Sequence, residues 1–264
     1  MNVLKSVIAR ITPQDGEARQ QATVRLEQLT MPRWALGRLM DLAVDLAGMT
    51  GSLAPPVARK TVVTMAGDHG VARAGVSLYP QEVTLQMVHN FVRGGAGINV
   101  LARLAGARVV VVDMGVAGDL ADLVREGKIL SRRVAAGTCN FAEGPAMSRQ
   151  EAVRSVEGGI ETALELGPDT DLFATGDMGI GNTTPSSAVV ALFSGAPVAA
   201  VTGCGTGLDE AQRARKVTVI EEALALNRPD PQDPLDVLAK VGGFEIGGIA
   251  GLILGAAAMK KPVL

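Results

Sequence analysis

Asp171-Leu172-Phe173-Ala174-Thr175-Gly176-Asp177-Met178-Gly179-Ile180-Gly181-Asn182-Thr183-Thr184-Pro185 is the stretch that decides the fold. Its first five residues form a short apolar run, predicted as a buried strand. Gly176 to Thr184 predicts a glycine-rich turn. Pro185 onward predicts a helix of small residues, because proline in a first helical turn gives up an N–H that would be unpaired anyway. Glycines let the backbone approach a ligand closely, and the N–H groups of a helix start favour an anion. The stretch matches neither G-x-G-x-x-G nor the G-x-x-x-x-G-K-[ST] phosphate loop. On its own it reads as a ligand cradle or as a tight structural turn.

Similar units lie on both sides. Thr61 to Ala66 is a buried strand ending in Gly67-Asp68-His69-Gly70-Val71, and Arg108 to Met114 is a β-branched strand buried on both faces. Pro197 to Thr202 reads as another strand. It feeds a second glycine cradle, Gly203 to Asp209, and a helix running past Lys216. Loops at the carboxyl ends of parallel strands are where α/β proteins bind ligands. Upstream, residues 14–30 and Trp34 to Ala47 have helical periodicity and precede any strand. The chain is therefore expected to divide into a small helical subdomain, 1–56, and a parallel, Rossmann-like α/β domain, 57–264, with helices flanking its sheet.

Residues 115–147 predict loops and a short hairpin. Ser148-Arg149-Gln150-Glu151 is a capping box opening a helix to about Leu166. Asp233 is expected to cap a helix over Leu235 to Val241, and Phe244 to Met259 reads as a buried apolar helix. Lys260 to Leu264 looks like the start of a strand too short to complete a sheet. A further strand and helices are expected beyond it.

The formal net charge is −2 and aromatics are 3%. Neither a basic surface for nucleic acid nor a base-stacking platform is expected. No stretch is long and apolar enough for a membrane span, and the first residues lack the apolar core of a signal peptide. Cys139 and Cys204 have no metal-ligand spacing; they read as small core residues of a protein in the reducing cytoplasm. Two glycine cradles after successive strands, with Lys216 following the second, suit a phosphorylated small molecule. Ser77, Tyr79 and Gln86 offer an aromatic face and polar groups for a flat heteroaromatic ligand.

Ala66 to Val71, Gly75 to Ser77, Pro80 to Thr84, Gly176 to Thr184, Gly203 to Asp209 and Val241 to Gly251 together resemble the nicotinate-nucleotide–dimethylbenzimidazole phosphoribosyltransferases. The resemblance covers nearly the whole chain in the same order. It implies a three-layer α/β homodimer, working without metal or cofactor in cobalamin biosynthesis. The implied reaction moves phosphoribose from nicotinate mononucleotide to 5,6-dimethylbenzimidazole. It also implies that Gly179, Gly181, Gly205, Thr206, Gly207 and Lys216 hold the phosphate, and that Ser77, Tyr79, Gln86 and Met178 surround the base. Asp177 stands where many members have glutamate and is the catalytic candidate within the chain. The family's principal base is a further glutamate, expected beyond Leu264. Met31-Pro32-Arg33-Trp34-Ala35-Leu36-Gly37 departs from the usual N-terminal signature. His69 reads as a hydrogen-bonded loop residue, His89 as a surface residue, and Glu82 and Glu245 as carboxylates serving helix starts. Alternative readings are the same chemistry on another base or a phenol, and a non-catalytic nucleotide-binding module or heteromer subunit.

Overall fold

The computed structural model describes residues 3–264. After α1 (Val3–Ile8) come α2 (Gly16–Glu27) and α3 (Arg38–Thr50), then β1 (Lys60–Gly67). A 3-10 turn, Gly70–Ala74, leads to α4 (Glu82–Arg93), α5 (Gly97–Ala105) and β2 (Ala107–Gly115). The short α6 (Ala121–Arg125) and β3 (Leu130–Ser131) precede the long α7 (Arg149–Leu166). Next are β4 (Leu172–Met178), α8 (Thr183–Ser194), α9 (Val198–Val201) and α10 (Glu210–Asn227). The last helices are α11 (Pro234–Val241) and α12 (Phe244–Ala258).

The sheet order is β3-β2-β1-β4 and every pairing is parallel. The strands have opposite faces to cover, and helices cover both. Val63, Met65, Val112, Met114 and Phe173 enter one core with Val156, Ile160 and Leu252 of α7 and α12. Ala66 and Val111 enter a second core with Val88 and Phe91 of α4. The result is helix, sheet, helix. Smaller clusters join α8 to α11 and, separately, α2 to α3. Leu4 and Val7 of α1 belong to the first core.

The α7–α12 contact is made by glycines. A Cβ added at Gly159 would lie 1.9 Å from the Gly248 carbonyl oxygen, and one at Gly251 1.9 Å from that of Val156. The two backbones therefore touch directly, which brings the first turn of α12 under the sheet's carboxyl end.

From β1 the chain passes to β2 and β3 on one side, then returns through α7 to β4 on the other. The crevice between the ends of β1 and β4 is thus the topological switch point, where open parallel sheets bind ligands.

Several local expectations hold. Ser148 and Glu151 form the capping box of α7, and Asp233 caps α11. The apolar α12 is buried along one face, with Ala250 and Ile253 exposed. Val263 pairs with Phe173 in parallel, and Thr175 N–H donates to the Leu264 carbonyl at 2.9 Å, so residues 262–264 do run along β4.

Others are corrected. Residues 198–201 are helix, not strand. A six-residue apolar run cannot distinguish the two, and the free edge of β4 is already taken by residues 262–264. Leu130–Ser131 pairs in parallel with β2, so 115–147 contains no hairpin there. The helix expected from Trp34 starts at Arg38, after Gly37 at φ 53°. Cys139 and Cys204 are exposed, not core.

Candidate active site

β4 is longer than its apolar run suggested. Pairing with β1 continues through Met65–Asp177 and Ala66–Met178, so Asp177 is the last strand residue but one and the turn proper is Gly179 to Asn182. That turn is clamped from three sides. A Cβ at Gly179 would lie 2.2 Å from the Gly67 carbonyl oxygen and 3.1 Å from His69 Nε2. Gly181, at φ +86°, packs on Ala72, and the Ile180 N–H donates to buried Thr84 Oγ1 at 3.0 Å. The turn opens α8 without a side-chain cap, because the Asn182 amide donates to Asp177 Oδ2 instead. An uncapped helix start is a ready seat for an anion.

The second glycine loop follows α9 rather than a strand, yet it meets the first. The ideal Cβ of Gly205 lies 3.4 Å from Thr183 Oγ1 and 3.6 Å from Lys216 Nζ. Lys216 is 1% exposed, and its ammonium donates to Thr183 Oγ1. Among the described residues no carboxylate forms an ion pair with it, and burial pushes its pKa down. A buried cation without a counter-charge is costly, and an anion seated between the loops would relieve it. Thr206 and Gly207 are on the exposed rim, with Leu78 3.9 Å from the Cβ position of Gly207.

Leu78 lies between two more of the predicted residues, Ser77 and Tyr79. Ser77 is half-buried and accepts the Tyr79 N–H on its hydroxyl at 3.2 Å; Tyr79 is 50% exposed. Gln86 is exposed on α4, and Met178 packs into the cluster of Val88 and Phe91 from the same helix.

One feature was missed. His69 Nε2 lies 2.9 Å from Glu245 Oε1, and both side chains are wholly buried. Burial opposes a charge on His69, but Glu245, assisted by Asp68 and Asp177, raises its pKa overall. Asp177 is exposed at the surface, yet desolvation of its carboxyl and then the Glu245 charge raise its pKa, against Asn182 and His69. His69 is thus the partner of a buried carboxylate rather than a loop anchor. Nothing in the sequence ties position 69 to 245.

Residues 11–264 match a family profile described as "Phosphoribosyltransferase". The chain belongs to this family. This phosphoribosyltransferase chain is 66% identical, over its whole length and 75% of the relative's, to the nicotinate-nucleotide–dimethylbenzimidazole phosphoribosyltransferase of Syntrophotalea carbinolica. It is 54% identical to the enzyme so named from Desulfotalea psychrophila, covering 74% of it. Among solved structures it is similar to CobT from Thermus thermophilus. The TM-score is 0.88 at 46% identity, over 94% of this chain and 73% of that one. In this phosphoribosyltransferase, then, the turn after β4 meets the end of β1, Thr84 of α4 and the Gly205 loop.

Proposed function

We propose that the enzyme transfers phosphoribose from nicotinate mononucleotide to 5,6-dimethylbenzimidazole or a related base, in cobalamin biosynthesis. A ring nitrogen of the acceptor attacks the glycosidic carbon from the face opposite the leaving group. The bond to the pyridinium nitrogen breaks, its electron pair returns to that ring, and nicotinate leaves. The second azole nitrogen gives up its proton to a carboxylate. Fixing the 5′-phosphate presents the correct face of the sugar. Gly179, Gly181, Gly205, Thr206, Gly207 and Lys216 are the proposed phosphate seat, and Ser77, Tyr79, Gln86 and Met178 the rim for the base. Asp177 is the proposed proton acceptor within the chain.

The observation that carries this reading is Lys216, a buried ammonium held by Thr183 where the two glycine loops meet. Lys216→Ala should weaken nicotinate mononucleotide binding by roughly 1.5–3 kcal/mol, the range for a hydrogen bond to a charged group. Calorimetry on the folded variant reads this directly. Unchanged affinity would remove Lys216 from the site.

Two further proposals accompany it. The exposed thiols of Cys139 and Cys204 suit the reducing cytoplasm. A homodimer is also proposed. The support is the exposed apolar surface of Val100, Leu101 and Leu104 on α5 and Leu39 and Leu42 on α3. Light scattering at micromolar concentration should give twice the chain mass, and a monomeric mass would refute the dimer.

A further inference from the structure

Three segments close a ring of contacts around the proposed phosphate seat. α10 carries Lys216 to the second glycine loop, where a Cβ on Gly205 would fall 3.6 Å from Lys216 Nζ. Further along that loop, a Cβ on Gly207 would touch Leu78 at 3.9 Å. Back along the chain from Leu78, a Cβ on Gly75 would meet Arg215, the residue before Lys216 on α10. Its distances are 3.5 Å to Cζ, 3.5 Å to Nη2 and 3.7 Å to Nη1. Distances so nearly equal put the guanidinium face-on over Gly75, so its edge N–H donors are not spent on that glycine. Gly75, at φ +73°, turns the chain, and Ser77 follows within about 7 Å, the span of two extended residues.

Arg215 is exposed, and among the described residues it takes part in no ion pair. Its neighbours one turn away on α10 are Ala211, Gln212, Thr218 and Val219, so no carboxylate of the helix lies beside it. Arg213 differs, because Glu210 one turn before it holds its guanidinium. Arg215 and Lys216 are consecutive, about 100° apart around the helix, and they reach different walls. Lys216 goes to Thr183 and Gly205, Arg215 to Gly75. An exposed guanidinium needs no partner, but this one is packed in place and loses less freedom on taking one. A ligand with two anionic groups meets both cations.

We propose that Arg215 recognises the donor nucleotide by the carboxylate on its pyridine ring. This rests on the phosphate seat at Lys216. Nicotinate mononucleotide carries a 5′-phosphate at one end and a ring carboxylate at the other. With the phosphate on the glycine loops and Lys216, the carboxylate meets the edge of the Arg215 guanidinium, which matches a carboxylate through two parallel N–H···O bonds. The acceptor base has no carboxylate and gains nothing there. A donor with a carboxamide at the same ring position offers one neutral acceptor and loses the paired contact. Arg215 therefore sorts donors and takes no part in making or breaking bonds.

The test is calorimetric affinity for three ligands that share the 5′-phosphate: nicotinate mononucleotide, nicotinamide mononucleotide and ribose 5-phosphate. The parent enzyme should bind the nicotinate form roughly 10-fold more tightly than the nicotinamide form, the low end for hydrogen bonds to a charged group because the guanidinium is exposed. In Arg215→Gln that gap should close, through weaker binding of the nicotinate form alone. Arg215→Lys should keep part of it, since a point charge attracts a carboxylate without the two-bond match. Arg73→Gln is the control. Arg73 is also exposed and outside any ion pair among the described residues, on the 3-10 turn just before Gly75, and its loss should leave the gap intact. A gap that survives in folded Arg215→Gln, an equal loss for all three ligands, or a gap that closes in Arg73→Gln as well overturns the proposal. So does a parent without a gap. Lys216→Ala separates the two readings: it should weaken all three ligands alike, and if it weakens none the phosphate seat falls and this proposal with it.

Discussion

Gly251→Ala is expected to destabilise the protein by about 3 kcal/mol, at the upper end of what overpacking a core costs. The added methyl carbon would sit 1.9 Å from the Val156 carbonyl oxygen, 2.8 Å from its carbonyl carbon and 2.9 Å from Ile160 N. All three are backbone atoms of α7, so no side chain can rotate aside. α12 must move away from α7, and the Ile160 and Leu252 core loosens with it. For a chain of this size, about 3 kcal/mol corresponds to roughly 6–12 °C in Tm. Gly159→Ala meets the Gly248 carbonyl oxygen at the same 1.9 Å and should behave alike. Gly97→Ala is the control: nothing lies within 4 Å of its Cβ, so α5 should gain slightly from the better helix former. Calorimetric melting of the three variants checks the argument. A Gly251→Ala midpoint within a degree of the parent would show that the helices are not in backbone contact.

The second large effect concerns Asp177. Asp177→Asn keeps the shape and the contact to Asn182 but cannot accept a proton. General-base contributions run ~10²–10⁴-fold, and with the principal base implied beyond Leu264 a fall at the lower end, about 10²-fold in kcat, is expected. Asp177→Glu keeps the carboxylate on a longer stem, the residue that the family resemblance puts at this position, and should retain far more activity. The pH dependence follows from the raised Asp177 pKa. The base form is needed, so kcat/KM should rise with pH through a value above that of an ordinary aspartate and be lost below it. Stability carries the opposite sign. A carboxyl whose folded pKa is raised costs stability above that pKa and costs nothing once both states are protonated. Asp177→Asn should therefore be at least as stable as the parent at neutral pH, with the difference closing on acidification. Nicotinate release with 5,6-dimethylbenzimidazole as acceptor, together with thermal melts across pH, reads both. Unaltered kcat in Asp177→Asn would move the proton acceptor elsewhere.

The sequence by itself determined what depends on neighbours along the chain. Thr61 to Ala66 and Arg108 to Met114 were legible as strands because a parallel strand buried on both faces must be apolar throughout. Ser148 with Glu151, and Asp233, were legible because capping uses side chains within one helical turn. The Gly179 and Gly205 segments were legible as turns because only glycine is at ease at Gly181 φ +86° or Gly207 φ +109°. Tertiary structure alone decided what depends on position in space. Residues 198–201 are helix while residues 262–264 run along the edge of β4, and no local pattern records which segment takes an edge. Lys216 is buried because α10 packs beside α8, which puts its ammonium on Thr183. His69 and Glu245 form a pair because backbone contact through Gly159 and Gly251 carries the start of α12 to the ends of β1 and β4. None of these contacts is written in the local sequence, because a charge acquires its role from what the fold leaves within a few ångströms of it.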